Sequence, residues 1–115
     1  EIEVIEPTIK KAQEQGIKAM GPYPGDTLFR RAFNGDFDGV VTMYHDQGQI
    51  AIKLQNFMHC VTISAGLPHP ITTPAHGTAY DIAGTGTCRI TPFKEAFRLC
   101  CRMAKGDLIA KQVVV

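Results

Sequence analysis

The residues best equipped for chemistry lie in Met43-Tyr44-His45-Asp46-Gln47-Gly48, directly after the apolar run Gly39-Val40-Val41. A neutral imidazole can hold a metal ion, and a neighbouring carboxylate can orient it. Val40 and Val41 are β-branched, and the run is short and bounded by turn residues, so it reads as a buried strand. His45 is then expected where that strand ends, with Gly48 to turn the backbone. In open α/β sheets, ligands bind at the carboxyl ends of strands. The same residues also suit a hydrogen-bonded histidine in an ordinary strand-to-helix turn, so this stretch alone leaves both readings open.

A second segment, Ala75-His76-Gly77-Thr78-Ala79-Tyr80-Asp81-Ile82-Ala83-Gly84-Thr85-Gly86, is rich in glycine. Glycine lets a backbone approach a phosphate or a ring closely. Thr78 offers a hydroxyl, and Asp81 could accept from ribose hydroxyls as acidic residues do in dinucleotide sites. The spacing is not the G-x-G-x-x-G that follows a strand, so the standard dinucleotide fingerprint is absent. A plain glycine-rich surface loop is the competing reading.

These segments need elements to position them. Ile2, Ile5, Ile9 and Ala12 recur at spacings of three and four, which predicts an amphipathic helix that becomes regular near Pro7 and stops at Gly16. Ile17–Met20 predicts a short strand, and Gly21-Pro22-Tyr23-Pro24-Gly25 a rigid loop. Asp26 or Thr27 is expected to cap a helix carrying Leu28, Phe29, Ala32 and Phe33, and Asn34-Gly35-Asp36 to turn. After the strand that ends at Tyr44, Asp46 is expected to cap a helix from about Gln47 to Leu54. Ile50, Ala51 and Leu54 should face the core, with Lys53 at the edge of that face. Cys60–Ile63 predicts another strand and Gly66–Pro74 a loop. Pro92–Met103 predicts a final helix with Phe93, Ala96, Phe97, Cys100 and Ala104 on one face, and Val113–Val115 a frayed tail. Alternating strands and helices make this an α/β chain with a mostly parallel sheet flanked by helices.

Composition narrows the function. The 115 residues are 44% hydrophobic with a net charge of +1, enough for a core and too apolar for disorder. That length suits one small domain and is short for a complete two-domain enzyme. No basic stripe with interleaved aromatics is present, which argues against nucleic acid as a partner. No apolar run approaches the ~20 residues of a membrane span. Cys60, Cys88, Cys100 and Cys101 lack C-x-x-C spacing, so reduced thiols in a cytoplasmic setting are expected rather than a zinc knuckle or disulfide framework. His59 and His69 read as surface residues, His69 being placed between two prolines where it could approach a substrate. Cys88 reads as a small loop residue. The chain opens at Glu1 in what reads as helix, so it is expected to be part of a longer polypeptide.

Taken in order, Gly21-Pro22, Asp26-Thr27-Leu28-Phe29, Tyr44-His45-Asp46-Gln47-Gly48, Lys53, Gly66-Leu67-Pro68 and His76-Gly77-Thr78-Ala79 through Gly84 resemble the 4-hydroxythreonine-4-phosphate dehydrogenase family of pyridoxal phosphate biosynthesis. The resemblance runs from about Glu3 to Ala104. The segment His76–Gly86 is also similar to the adenosine-binding loop of isocitrate and isopropylmalate dehydrogenases, whose fold the family shares; the present chain would hold an incomplete version of it. The resemblance implies a homodimeric, metal-dependent enzyme that oxidises a secondary alcohol with NAD, after which the β-keto acid loses carbon dioxide. It leaves NAD against NADP open, and zinc, cobalt or magnesium as the metal. It implies that His45 is one of three metal-binding histidines, the other two lying upstream of this segment, and that Lys53 binds substrate. It further implies that His76, Gly77, Thr78, Ala79, Asp81 and Gly84 belong to the cofactor loop. Asp46 is expected to orient His45 or help shape the site.

Two positions depart from the family pattern. Thr62 stands where the family has a phosphate-contacting asparagine, and Ile71 where it has an arginine. Thr62 can still donate one hydrogen bond, but Ile71 cannot replace a guanidinium. The expected substrate is therefore 4-hydroxythreonine 4-phosphate or a relative of it, such as 4-phosphothreonate, 4-phosphoerythronate or an unphosphorylated hydroxy acid. A reading from another class is a truncated paralogue without catalysis, serving as a binding and dimerising module. A purely structural α/β domain would leave the ordered motifs unexplained.

Overall fold

The structure is a computed structural model and describes residues 1–106; the expected tail at Val113–Val115 lies outside the described residues. Four α-helices occur in chain order: α1 (Ile5–Glu14), α2 (Gly25–Phe33), α3 (His45–Asn56) and α4 (Thr91–Ala104). A hairpin of two short strands, β1 (Val61–Ser64) and β2 (Ile71–Pro74), lies between α3 and α4, and single turns of 3-10 helix occupy Phe57–His59 and Tyr80–Ile82. The chain divides into two compact units, one covering Glu1–Ala51 and the other beginning at Ile52.

In the first unit the helices stop where their glycines dictate. At the end of α1 the Gly16 amide bonds the Gln13 carbonyl at 2.9 Å and the Ile17 amide bonds that of Ala12 at 3.0 Å, with Gly16 at φ +82°. This pair of bonds satisfies two orphan carbonyls and requires a left-handed residue, which glycine adopts without strain. The end of α2 repeats it: Gly35, at φ +91°, bonds Ala32, and Asp36 bonds Arg31. The cap of α2 is not Asp26 or Thr27, however. Pro24 occupies that position in an extended conformation, and the Thr27 hydroxyl donates back to its carbonyl at 3.3 Å. Past α2, the Arg31 guanidinium lies 4.9 Å from the Tyr23 ring and 4.7 Å from the Phe37 ring and pairs with Asp36 at 3.0 Å. The hydrogen bond to Asp36 raises the Arg31 pKa above its ordinary value. This clamp joins the loop before α2 to the turn after it.

In the second unit, β1 and β2 pair antiparallel with Val61 opposite Pro74 and Ser64 opposite Ile71. The expected loop at Gly66–Pro74 thus ends in a strand; Pro74 is tolerated because it closes the ladder, where a missing N–H costs little. Alternation puts Val61, Ile63, Thr72 and Pro74 on one face and Thr62, Ser64, Ile71 and Thr73 on the other. The first face meets α4, where the Thr72 hydroxyl donates to the Ala96 carbonyl at 2.8 Å. Pro92 and Ala96 are buried on α4, and Leu99, Cys100 and Met103 are half-buried. Phe93 and Phe97, expected on the core face with Ala96, are each 62% exposed. Hydrophobic spacing found the helix, but α4 carries apolar residues around more than one face, and the packed face is the one with Pro92, Ala96, Leu99, Cys100 and Met103.

The expectation of a mostly parallel sheet is not met among the described residues: their one sheet is the antiparallel pair of β1 and β2. Neither Ile17–Met20 nor Gly39–Tyr44 is a strand. The reason is physical: a strand is defined by its ladder partner, and neither run has one among the described residues. α3 also differs from expectation. It begins at His45 rather than Gln47, and Ile50 and Leu54, expected to face the core, are 61% and 82% exposed.

Candidate metal and substrate site

His45 is the first residue of α3, not the last of a strand. Its Nδ1 lies 2.8 Å from Asp46 Oδ1. An ionised carboxylate only accepts, so Nδ1–H is the donor and the Nε2 lone pair is left for a metal. Asp46 is the second residue of the helix, and its side chain serves the imidazole instead of capping. A helix N-terminus carries partial positive charge and disfavours a cation; a carboxylate in the first turn offsets that.

The next two residues fix the pair in place. Gln47 Oε1 accepts from the Met43 amide at 3.0 Å, holding the segment that leads into the helix. Gly48 is helical and does not turn the backbone as expected. A Cβ there would meet Thr42 Oγ1 at 3.1 Å and Cγ2 at 3.3 Å, so any larger residue would crowd Thr42. A Cβ on Gly25 would lie 2.9 Å from Nε2 of Gln47, the far end of a flexible side chain. The role of Gln47 was not evident from the sequence. Its position at the third residue of a helix, where Glu or Gln reaches back to an orphan amide, was the available signal.

Lys53 is half-buried, eight residues after His45 in the sequence of the same helix. Thr62 and Ile71 occupy the outer face of the hairpin with Ser64 and Thr73, all four exposed. The two departures from the family pattern therefore share one surface, which offers three hydroxyls, one isoleucine and no cation.

The glycine-rich segment keeps its main chain open. Ala79 is left-handed at φ +51°, Gly84 and Gly86 lie at φ +76° and +71°, and a Cβ on Gly77 would meet nothing within 4 Å. His76 Nδ1 donates to the Gly77 carbonyl at 2.8 Å and so leaves Nε2 as an acceptor. Thr78, Tyr80 and Asp81 are exposed, and the Thr85 hydroxyl lies against the Ile82 carbonyl and the Thr87 hydroxyl.

No group of three or more metal-ligating side chains occurs among the described residues. His45 is thus a single donor, suitable as one ligand of a site that needs others. All four cysteines are free thiols, and no helix among the described residues is long and apolar enough to cross a membrane.

Residues 1–100 match the family described as pyridoxal phosphate biosynthetic protein PdxA. The chain belongs to the PdxA family. A Pseudomonas aeruginosa protein provisionally named 4-hydroxythreonine-4-phosphate dehydrogenase 2 is 56% identical over 108 residues, which make up 91% of this chain and 32% of the relative. A Symbiobacterium thermophilum protein provisionally named D-threonate 4-phosphate dehydrogenase is 44% identical over 104 residues, 90% of this chain and 31% of the relative. The crystal structure of a 4-hydroxythreonine-4-phosphate dehydrogenase from Burkholderia phymatum is similar at a TM-score of 0.67 and 44% identity, over 87% of this chain and 30% of that one. The chain spans about a third of the length of the curated PdxA relatives it matches.

Proposed function

We propose that this chain is the C-terminal portion of a two-domain dehydrogenase that oxidises the secondary alcohol of a phosphorylated hydroxy acid with NAD or NADP and a divalent metal, the β-keto acid then losing carbon dioxide. The observation that carries the proposal is the His45–Asp46 pair at the start of α3. It presents one oriented imidazole nitrogen, the arrangement that metal-binding histidines use. His45 would hold the metal with two further ligands from the polypeptide that this segment does not span. Bound there, zinc, cobalt or magnesium would supply Lewis-acid polarisation of an alcohol oxygen.

The chain's own residues would do the rest. Lys53 offers an ammonium to a phosphate or carboxylate as a point charge. Thr62 donates one hydroxyl hydrogen bond at the substrate end. The open amides around Gly77–Gly84, with Thr78 and Asp81, would take the cofactor, whose redox chemistry is its own. Ile71 removes a guanidinium from the substrate end, which favours a relative of 4-hydroxythreonine 4-phosphate such as 4-phosphothreonate or 4-phosphoerythronate. The name of the Symbiobacterium relative is consistent with that shift. A homodimer and a cytoplasmic setting complete the proposal, by resemblance to the family.

The test is to graft this chain in place of the matching third of the Pseudomonas relative and follow NADH formation on a panel of phosphorylated hydroxy acids. Metal-dependent turnover, lost on chelation and in His45→Ala, is expected. Turnover that survives His45→Ala unchanged would remove the proposed metal role. A soluble, dimeric graft with no turnover on any substrate would favour the second reading, a non-catalytic binding and dimerising module, which the 62% exposed Phe93 and Phe97 of α4 also suit.

A further inference from the structure

Lys53 and Thr62, the two residues placed above at the substrate, belong to different elements. Lys53 lies in the last turn of α3, and Thr62 is the second residue of β1. Between them stand the 3-10 turn Phe57–His59 and Cys60, all within the second unit. α3 ends without the glycine that stops α1 and α2. Its last residue, Asn56, leaves the helical region at φ −162° and ψ 79°, and Phe57 follows. The final carbonyls of a helix find no amide within it and need other partners.

Cys60 is such a partner. Its thiol donates to the Asn56 carbonyl at 3.0 Å, and its Sγ lies 3.5 Å from the Ile52 carbonyl. These two carbonyls bracket Lys53 in the chain. The main chain of Cys60 belongs instead to the hairpin. It is extended, at φ −71° and ψ 130°, and its carbonyl accepts from the Ala75 amide at 3.4 Å, one step beyond the Val61–Pro74 pair. One residue is thus bonded through its side chain to the Lys53 turn and through its main chain to the ladder that carries Thr62. The same junction is tied to α4: His59 Nδ1 lies 3.9 Å from Glu95 Oε1, which accepts from Arg98 at 2.8 Å. A half-buried thiol can pack as a small hydrophobe with no acceptor at all; Cys60 faces two.

We propose that Cys60 is a positioning residue, whose thiol fixes the Lys53 turn of α3 against the start of β1 so that Lys53 and Thr62 are set for the substrate before it arrives. The inference rests on the substrate role given to Lys53 above. Contacts held in place beforehand lower the ordering cost of binding. Loss of the thiol should therefore weaken substrate binding and leave the chemical step alone.

The test is calorimetric binding of 4-phosphothreonate and 4-phosphoerythronate to the graft, with metal content and kcat followed alongside. Cys60→Ala is expected to raise Kd by roughly 2–10-fold, the worth of about one net hydrogen bond, with metal content and kcat at saturating substrate unchanged. Cys60→Ser keeps a donor and should keep most of the affinity. In a Lys53→Ala background Cys60→Ala should cost nothing further, because its effect passes through Lys53. An unchanged Kd, equal losses in the Ser and Ala variants, or the same loss with Lys53 removed each overturns the proposal. So does a rise in Kd with matching losses of kcat and metal, which marks general damage. Should Cys60→Ala not fold, Cys60→Val fills the space without a donor and gives the same reading. If the unmodified graft forms no NADH but shows these differences in Kd, the positioning role stands and the reaction proposed above falls. A graft that binds neither acid overturns the substrate role of Lys53 and this inference with it.

Discussion

At the scale of single residues, the account rests on which nitrogen of His45 carries the proton. Free imidazole usually protonates at Nε2; a hydrogen bond from Nδ1 to Asp46 reverses that, and the 2.8 Å contact fixes the direction. Asp46→Asn should therefore shift the His45 tautomer toward Nε2–H, read directly by 15N NMR of the ring. In a grafted full-length chain the same change should weaken metal binding by roughly 10–100-fold, as loss of an outer carboxylate partner does, with helix content unchanged by circular dichroism. Unaltered metal affinity would make Asp46 a surface residue. Ile71 supports a second prediction. Ile71→Arg restores a charged hydrogen bond worth about 1.5–3 kcal/mol, so kcat/KM in the graft should rise by about 10–100-fold for phosphorylated over unphosphorylated substrates. An equal change for both would show that the outer hairpin face does not meet the phosphate.

At the scale of elements, Gly48 and Thr42 form a coupled pair. Gly to Ala inside a helix usually stabilises by about 1 kcal/mol, but the added Cβ would stand 3.1 Å from Thr42 Oγ1. Gly48→Ala alone should lower the thermal midpoint, while in a Thr42→Ala background it should raise it; additivity of the two changes would refute the contact. Thr72→Val should likewise cost about 1 kcal/mol by removing the hydrogen bond that the Thr72 hydroxyl adds to the Ala96 carbonyl, measured by urea unfolding. The elements also show what a sequence can reveal. α1 and α4 were legible because their signals are local: apolar spacing, Gly16 as a stop, Pro92 in a first turn. The hairpin was half legible. Val61–Ser64 has strand chemistry, whereas Pro70 and Pro74 disguise its partner as a loop. Gly39–Tyr44 has the composition and the alternation of a strand without its ladder, since pairing is a non-local property that no window of sequence contains. Of the site, the His45–Asp46 contact followed from adjacency. The service of Gln47 to Met43 and the closeness of Thr42 to position 48 depend on the path of the preceding segment.

At the scale of the whole molecule, burial is sparse. Ala19, Pro92 and Ala96 are the buried residues among the described ones, and Ile2, Leu54, Tyr80, Phe93 and Phe97 are each more than half exposed. Domains normally hold together by removing such side chains from water, each worth about 1.5–3 kcal/mol when fully buried. The 115-residue chain by itself should therefore unfold with weak cooperativity and bind a hydrophobic dye, and both properties should disappear when it is grafted onto the remainder of the Pseudomonas relative. A sharp, dye-free thermal transition of the isolated chain would contradict this. The central claim, that His45 is one ligand of a catalytic metal in a PdxA-type dehydrogenase, is tested most directly by metal titration of the grafted full-length chain with and without His45→Ala, reading bound metal and NADH formation together. The account predicts about one tightly held metal per site and metal-dependent NADH formation, both lost in His45→Ala while the fold persists. Equal metal binding and turnover in the two proteins would contradict it.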